Sequence, residues 1–210
     1  MMVKHSSAFE ENPVGQPARL EPADRALLLG IARQAVKAHL GLGPAPALPA
    51  SGPLAEPRGA FVTLHVRGEL RGCIGTFAPA ESLASTVARM ARCAACEDPR
   101  FEPVKAEEMA ELTLEVSVLG PRRRMRDLRD LVVGRDGVLV KLGYRRGTLL
   151  PRVAVEEGWD AVTFLERTCL KAGLSPRAWQ EPEAVVELFP AEDIGEEGRP
   201  EPPATRDERK

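Results

Sequence analysis

A mixed helix-and-strand domain is the fold class this sequence predicts, on three observations. Apolar residues recur at helical spacing in several segments. Others alternate every second residue and come in hairpin pairs. A hydrophobic content of 43 % over 210 residues is enough for one domain, or two lobes sharing a core.

Residues 1–19 are polar and mixed and read as a disordered tail. Pro22 opens a helix in which Leu27, Leu28, Ile31, Ala35 and Leu40 recur at helical spacing, and Gly41 stops it. A Pro/Gly/Ala-rich loop runs from 41 to 59, too long for a turn and either a lid or a neutral insertion. Ala60–Val66 reads as a strand, and Arg67-Gly68-Glu69 leads into a second strand around Cys73. A two-residue loop sets position 62 or 64 opposite Cys73 and leaves His65 on the other face; a three-residue loop sets His65 opposite Arg71, on the thiol face. The shorter loop is commoner, which disfavours His65 as a base for Cys73.

Glu81–Cys96 is an amphipathic helix striped by Leu83, Val87 and Met90, and Asp98-Pro99 turns the chain after it. Leu112–Leu119 alternates, and its polar face of Thr113, Glu115 and Ser117 either meets solvent, the default, or lines a cleft. The basic run Pro121–Arg126 could clamp phosphate or RNA, but with no interleaved aromatics and no overall positive charge the preferred reading is solvated loop charge. Val138–Leu142 and Thr148–Leu150 form a second hairpin over Gly143–Gly147. Pro151–Glu157 is a helical turn. Asp160 caps a helix running to Ala172, with Phe164, Leu165 and Cys169 inward and Gly173 beyond its end. Ser175-Pro176 opens a short turn ending near Trp179, and Ala184–Phe189 is a last strand. The charged, Pro-rich residues 196–210 read as a second disordered tail, which leaves 20–195 as the domain.

A net charge of −2 gives no global attraction to nucleic acid or acidic membrane. No apolar run approaches the roughly 20 residues needed to span a bilayer. Residues 1–15 lack the apolar stretch of a signal peptide. A soluble cytoplasmic protein is expected. Four cysteines do not make a disulfide scaffold at this length. Cys93 and Cys96 fall late in a helix, where the dipole disfavours a thiolate, and no second ligand pair completes a zinc site. Neither a metal nor a cofactor is expected.

The most informative stretch is Leu70-Arg71-Gly72-Cys73-Ile74-Gly75. Arg71 and Cys73 alternate onto one strand face, where the charge would favour a thiolate, and the glycines mark close approach by a backbone or ligand. A buried Cys in a tight sheet, with Arg71 paired to a core carboxylate (Glu115 or Asp98), is the plainer alternative.

L-R-G-C-I-G at 70–75, D-P-R-F at 98–101, E-V-S-V-L at 115–119, R-G-T-L-L-P with V-A-V-E-E-G-W-D across 146–160, and L-K-A-G-L-S-P-R-A-W at 170–179 resemble, in order, the AMMECR-domain family, whose prokaryotic members are called AmmeMemoRadiSam system protein A. The resemblance implies an α+β domain of two lobes, a mixed or antiparallel sheet with flanking helices, and a cleft between the lobes near the Cys73 strand. It also implies partnership with a Memo-like protein and a radical SAM protein, and no particular reaction. Arg152 departs from the Gln or Glu frequent in the family after L-L-P. Two readings follow. In one, an accessory or binding module reads an anion through Arg71 and Arg100, with Gly72, Gly75, Asp98 and Ser117 in the same site. In the other, a cysteine-dependent enzyme uses Cys73 as nucleophile and Glu115 to handle protons. Nucleic-acid binding is a third and weaker alternative.

Overall fold

The computed structural model describes residues 20–77 and 80–196, so the terminal tails read from the sequence lie outside the described residues, apart from Glu196. Helix α1 (Pro22–His39) buries Leu28, Ile31, Ala32, Ala35 and Val36. Leu27, expected on that stripe, sits one position round the helix and is 46 % exposed. The 41–59 loop is tied down: Leu54 is buried in the core, and Gln34 donates to the Pro44 carbonyl. Strands β1 (Ala60–Val66) and β2 (Glu69–Thr76) follow, then α2 (Leu83–Cys96), whose Ser82 cap accepts the Ser85 N–H at 3.2 Å.

Strand β3 (Leu112–Leu119) leads to the two-residue β4 (Arg123–Arg124), β5 (Asp136–Leu142) and β6 (Arg145–Leu149). Helices α3 (Pro151–Glu156) and α4 (Ala161–Lys171) and strand β7 (Val185–Gly195) complete the fold. The basic run is therefore not all loop: Arg123 and Arg124 pair with Leu188 and Glu187 of β7, and Arg123 holds the buried Asp136 carboxylate. No helix among the described residues is long and apolar enough to cross a membrane.

The sheet runs β2-β1-β3-β7-β5-β6, with β4 beside β7, and every pairing is antiparallel. Strand β7 is longer than the expected Ala184–Phe189. Its first half pairs with β5 as far as Pro190, and its second half pairs with β3. Pro190 marks the change of partner; lacking an N–H, it reads in sequence as a strand end. Glu196 does not belong to a tail, because its carboxylate grips Arg33 and accepts the Leu114 N–H at 3.0 Å.

Helices α1 and α2 cover one half of the sheet, on Val62, Leu64, Leu112, Leu114, Val116 and Val118. Helices α3 and α4 cover the other, on Val138, Val140, Val186 and Leu188. Each fully buried aliphatic side chain contributes roughly 1.5–3 kcal/mol, so β3 alone anchors the first half firmly. A smaller cluster of Leu119, Leu139, Leu150 and Phe189 joins the halves, with Phe61, Phe77 and Val153 against it. The opposite face of β3 is also closed: Glu115 is 2 % and Ser117 1 % exposed, which corrects the solvent-facing default.

Both hairpins turn on two residues. Arg67 (φ +54°) and Gly68 (φ +84°) are left-handed, as the twist of a tight hairpin requires. A bulge then slips the register between Leu64 and His65, so Arg71 is the extra residue and Thr63, not position 62 or 64, lies opposite Cys73. His65 pairs with Leu70. In the second hairpin Leu142 pairs with Arg145, which makes Gly143-Tyr144 the turn in place of the expected 143–147 loop. The sheet curls so that the two hairpins face one another across a cleft.

Candidate functional site

The L-R-G-C-I-G residues are brought together, but mostly to hold the fold. Arg71, displaced by the bulge, turns to the 102–108 segment. Its guanidinium meets Glu108 Oε1 at 2.7 Å and Oε2 at 3.1 Å, and the carbonyls of Glu102 and Pro103 at 2.6 and 3.2 Å. Its counter-ion is therefore Glu108, neither Glu115 nor Asp98, and the hydrogen bonds from Arg71 hold the Glu108 carboxyl below its ordinary range. Gly72 is a packing device: a Cβ there would stand 2.1 Å from the Ala94 carbonyl of α2. At Gly75 a Cβ would meet the Phe61 ring at 2.2 Å, so glycine lets that ring lie across β2.

Asp98 caps the outer edge of β2, accepting the Cys73 N–H at 2.8 Å. Its carboxylate is also forked by Arg100, at 2.9 Å from Nε and 2.7 Å from Nη2. The Arg100 hydrogen bonds lower its pKa from 3.8 to about 2, against the cost of burial. Cys73 is half-buried, and its Sγ accepts the Thr63 hydroxyl at 3.3 Å. The sulfur thus sits neither in dry hydrocarbon nor beside Arg71.

Glu115 lies across Thr63 from Cys73, two strands away, and pairs with Arg152 of α3. Arg152, the departure from the family pattern, turns inward to that carboxylate. The Ser117 hydroxyl donates to Asp193 at 2.5 Å. Burial pushes the pKa of both Cys93 and Cys96 up, which opposes a redox role for the pair. Among the described residues no group of three or more His, Cys, Asp or Glu is placed to hold a metal.

The cleft between the hairpins has a volume of about 590 Å³. Four cations line it: Arg122, Lys141, Arg146 and Lys171. Arg122 and Lys141 share the Glu187 carboxylate, at 3.1 and 2.5 Å. Arg146 and Lys171 have no ion-pair partner among the described residues. Lys141 and Arg146 are directly opposed across the β5–β6 ladder, a like-charge pairing that weakens a sheet. Gly147 lets β6 lie against the end of α4, where a Cβ would meet the Thr168 carbonyl at 2.7 Å, and so Lys171 comes over the cleft. Loss of hydration on partial burial pushes the Lys171 pKa down, opposed by Cys73 and reinforced by Arg100; solvent still reaches the side chain. The thiol therefore neighbours the cleft, while Gly75 and Thr76 of its strand form the wall. Phe61, Phe77 and Leu139 supply the apolar side.

Sequence reasoning named Arg71 and Arg100 as anion readers, weighed a phosphate clamp in the run that holds Arg122 but preferred solvated charge there, and missed Lys141, Arg146 and Lys171. The Lys141–Arg146 opposition was the one available signal, and it appears only once the hairpin turn is shortened to two residues.

Among the described residues a curled antiparallel sheet, four α-helices and a cation-lined cleft between two hairpins define a small α+β protein built around a cleft. The chain belongs to the AMMECR1 family, whose model matches residues 29–194. A relative from Methanothermobacter thermautotrophicus is 44 % identical over 179 residues, covering 81 % of this chain and 93 % of the relative. Another, from Thermococcus gammatolerans, is 43 % identical over 191 residues, covering 85 % and 93 %. The crystal structure of an uncharacterized protein from Pyrococcus horikoshii matches with a TM-score of 0.76 at 42 % identity, covering 81 % of this chain and 90 % of that one.

Proposed function

We propose that this AMMECR1-family protein is an accessory or binding module whose cleft recognises an anionic small molecule, working with a Memo-like protein and a radical SAM protein. One observation carries the reading: Lys141 and Arg146 are held opposite one another, at a cost to the ladder, on the wall where Lys171 also points. Lys141 has only a share of Glu187, and Arg146 and Lys171 have no ion-pair partner among the described residues; a ligand that supplies the missing negative charge explains why they are kept together. A cysteine-dependent enzyme has less support, since Glu115 is matched to Arg152 and Asp98 to Arg100, leaving neither carboxylate as a base for Cys73. Nucleic-acid binding also has less, because the cations converge on a cavity and the chain carries a net charge of −2.

Inorganic phosphate titrated at low salt should shift the amide resonances of Thr76, Gly147 and Thr148. Silence at those three amides would end the anion reading. Co-elution with the Memo-like or radical SAM protein at micromolar concentration tests the accessory role, and separate elution counts against it. Iodoacetamide should modify Cys73 no faster than Cys96; a much faster reaction at Cys73 would restore the nucleophile.

A further inference from the structure

Resting on that anion-cleft reading, we infer that the ligand is a small organic phosphate carrying a planar ring, its phosphate held by Arg146 and Lys171 and its ring laid against Phe61 over Gly75. Three features of the cleft lead there. The first is charge. Four cations face the cavity against one carboxylate, Glu187, a net of three positive charges. A monocarboxylate would leave most of that repulsion in place, whereas a phosphate ester brings two negative charges near neutral pH and three strong acceptor oxygens. Arg146 and Lys171, which have no ion-pair partner among the described residues, are the groups with donors to spare.

The second is size. About 590 Å³ lies within the roughly 300–1,000 Å³ typical of small-molecule sites, and a bare phosphate would fill little of it. The third is the apolar wall. Phe61 and Phe77 meet edge-to-face with centroids 5.5 Å apart, and Phe77 meets Phe189 in the same way at 4.9 Å. The rings are thereby fixed before any ligand arrives. Any side chain at position 75 would drive the Phe61 ring out of its place, so the glycine of the motif serves the flat floor and not the thiol. An organic group that is flat and apolar fits a floor of this kind, with its charged end toward Arg146.

The test uses the full chain and three probes at pH 8, followed by amide chemical shifts: phenyl phosphate, inorganic phosphate and benzoate. Phenyl phosphate should bind about tenfold more tightly than inorganic phosphate, since burying one ring face is worth about that factor, and benzoate should bind more weakly than either. Arg146→Ala should weaken both phosphates alike, by about tenfold for a lost charge-assisted contact. Phe61→Leu should erase the advantage of phenyl phosphate and leave inorganic phosphate unchanged. Arg129→Ala, at an exposed arginine paired with Asp127 and outside the cleft, should change nothing.

Equal binding of phenyl and inorganic phosphate would overturn the ring assignment while leaving the anion cleft standing. Benzoate binding as tightly as phenyl phosphate would overturn the phosphate assignment. Weakening by Arg129→Ala as large as that by Arg146→Ala would reduce the effect to general surface charge and overturn the proposal. Failure of all three probes would remove the anion cleft itself. Should Phe61→Leu fail to fold, the ranking of the three probes on the unaltered protein decides the matter.

Discussion

The β1–β2 hairpin turns on Arg67-Gly68 and the β5–β6 hairpin on Gly143-Tyr144, yet the cations beside the two turns meet opposite fates. In the first half of the sheet Arg71 is spent on Glu108 and Arg100 on Asp98, and the Glu115 carboxylate takes Arg152 of α3. In the second half Arg123 is likewise spent on Asp136, but Arg146 and Lys171 face a cavity without ion-pair partners among the described residues, and Lys141 shares one carboxylate with Arg122. The contrast separates two uses of charge. Cations that are paired and hydrogen-bonded hold elements in register. Cations that are crowded and left uncompensated store unfavourable energy that a ligand can release. The motif that stands out most in the sequence belongs to the first kind, and the site belongs to the second.

If the first half is architectural, cutting its pairs must cost stability. Glu115→Leu should have the largest effect, roughly 3–5 kcal/mol in urea unfolding, because it strands the Arg152 guanidinium in the interior. Adding Arg152→Leu should recover most of that loss. Equal losses in the single and double variants would mean that Glu115 acts through other contacts. Gly72→Ala comes next, at about 3 kcal/mol, since the new Cβ would press on the backbone of α2. Gly143→Ala in the other hairpin has open space around it and only the left-handed backbone (φ +59°) to resist it, so it should cost roughly 1–2 kcal/mol.

Asp98 sharpens the contrast through pH. Its carboxyl titrates at about 2 in the folded protein, against an ordinary 3.8, chiefly because of Arg100. A group whose pKa is depressed on folding contributes stability above its unfolded pKa and loses it as pH falls through the folded value. That contribution is therefore complete above about pH 5 and lost progressively toward pH 2. Arg100 is half in water, so after discounting for screening the contribution is about 1–2 kcal/mol. Asp98→Asn should be less stable at pH 7, and the gap to the unaltered protein should close as pH falls to 2. A gap independent of pH would show that Asp98 works through shape and not through charge.

Much of the fold was legible because its cues are local. Strands 60–66 and 112–119 alternate cleanly, Asp160 caps α4, and Gly173 ends it with φ +69°. What escaped depends on partners distant in sequence. Pro190 hides the second half of β7, whose strand character comes from pairing with β3. The bulge at Arg71 costs one residue of register, and with it the neighbour of Cys73 and the partner of Arg71. The polar face of β3 reads as surface because nothing near it in sequence announces that Arg152 of α3 and Asp193 of β7 will meet Glu115 and Ser117 there. Arg122, Lys141, Arg146 and Lys171 come from four segments, and only the curl of the sheet makes them one site.

The smallest effect is also the most discriminating. Arg146→Ala removes a charged side chain from a strand, which for an architectural arginine such as Arg71 would weaken the protein. Here the residue opposite is Lys141, so removal relieves repulsion across the ladder. Stability should rise by roughly 0.2–1 kcal/mol at low ionic strength. The gain should fade as salt shortens the screening length from roughly 30 Å at 0.01 M to about 8 Å at 0.15 M. Urea midpoints at the two salt concentrations measure it. A loss of stability at both would place Arg146 among the structural cations, and the division between the two halves of the sheet would no longer hold. A gain at low salt alone, together with weakened phosphate binding, is the signature of a charge that the fold carries for a ligand.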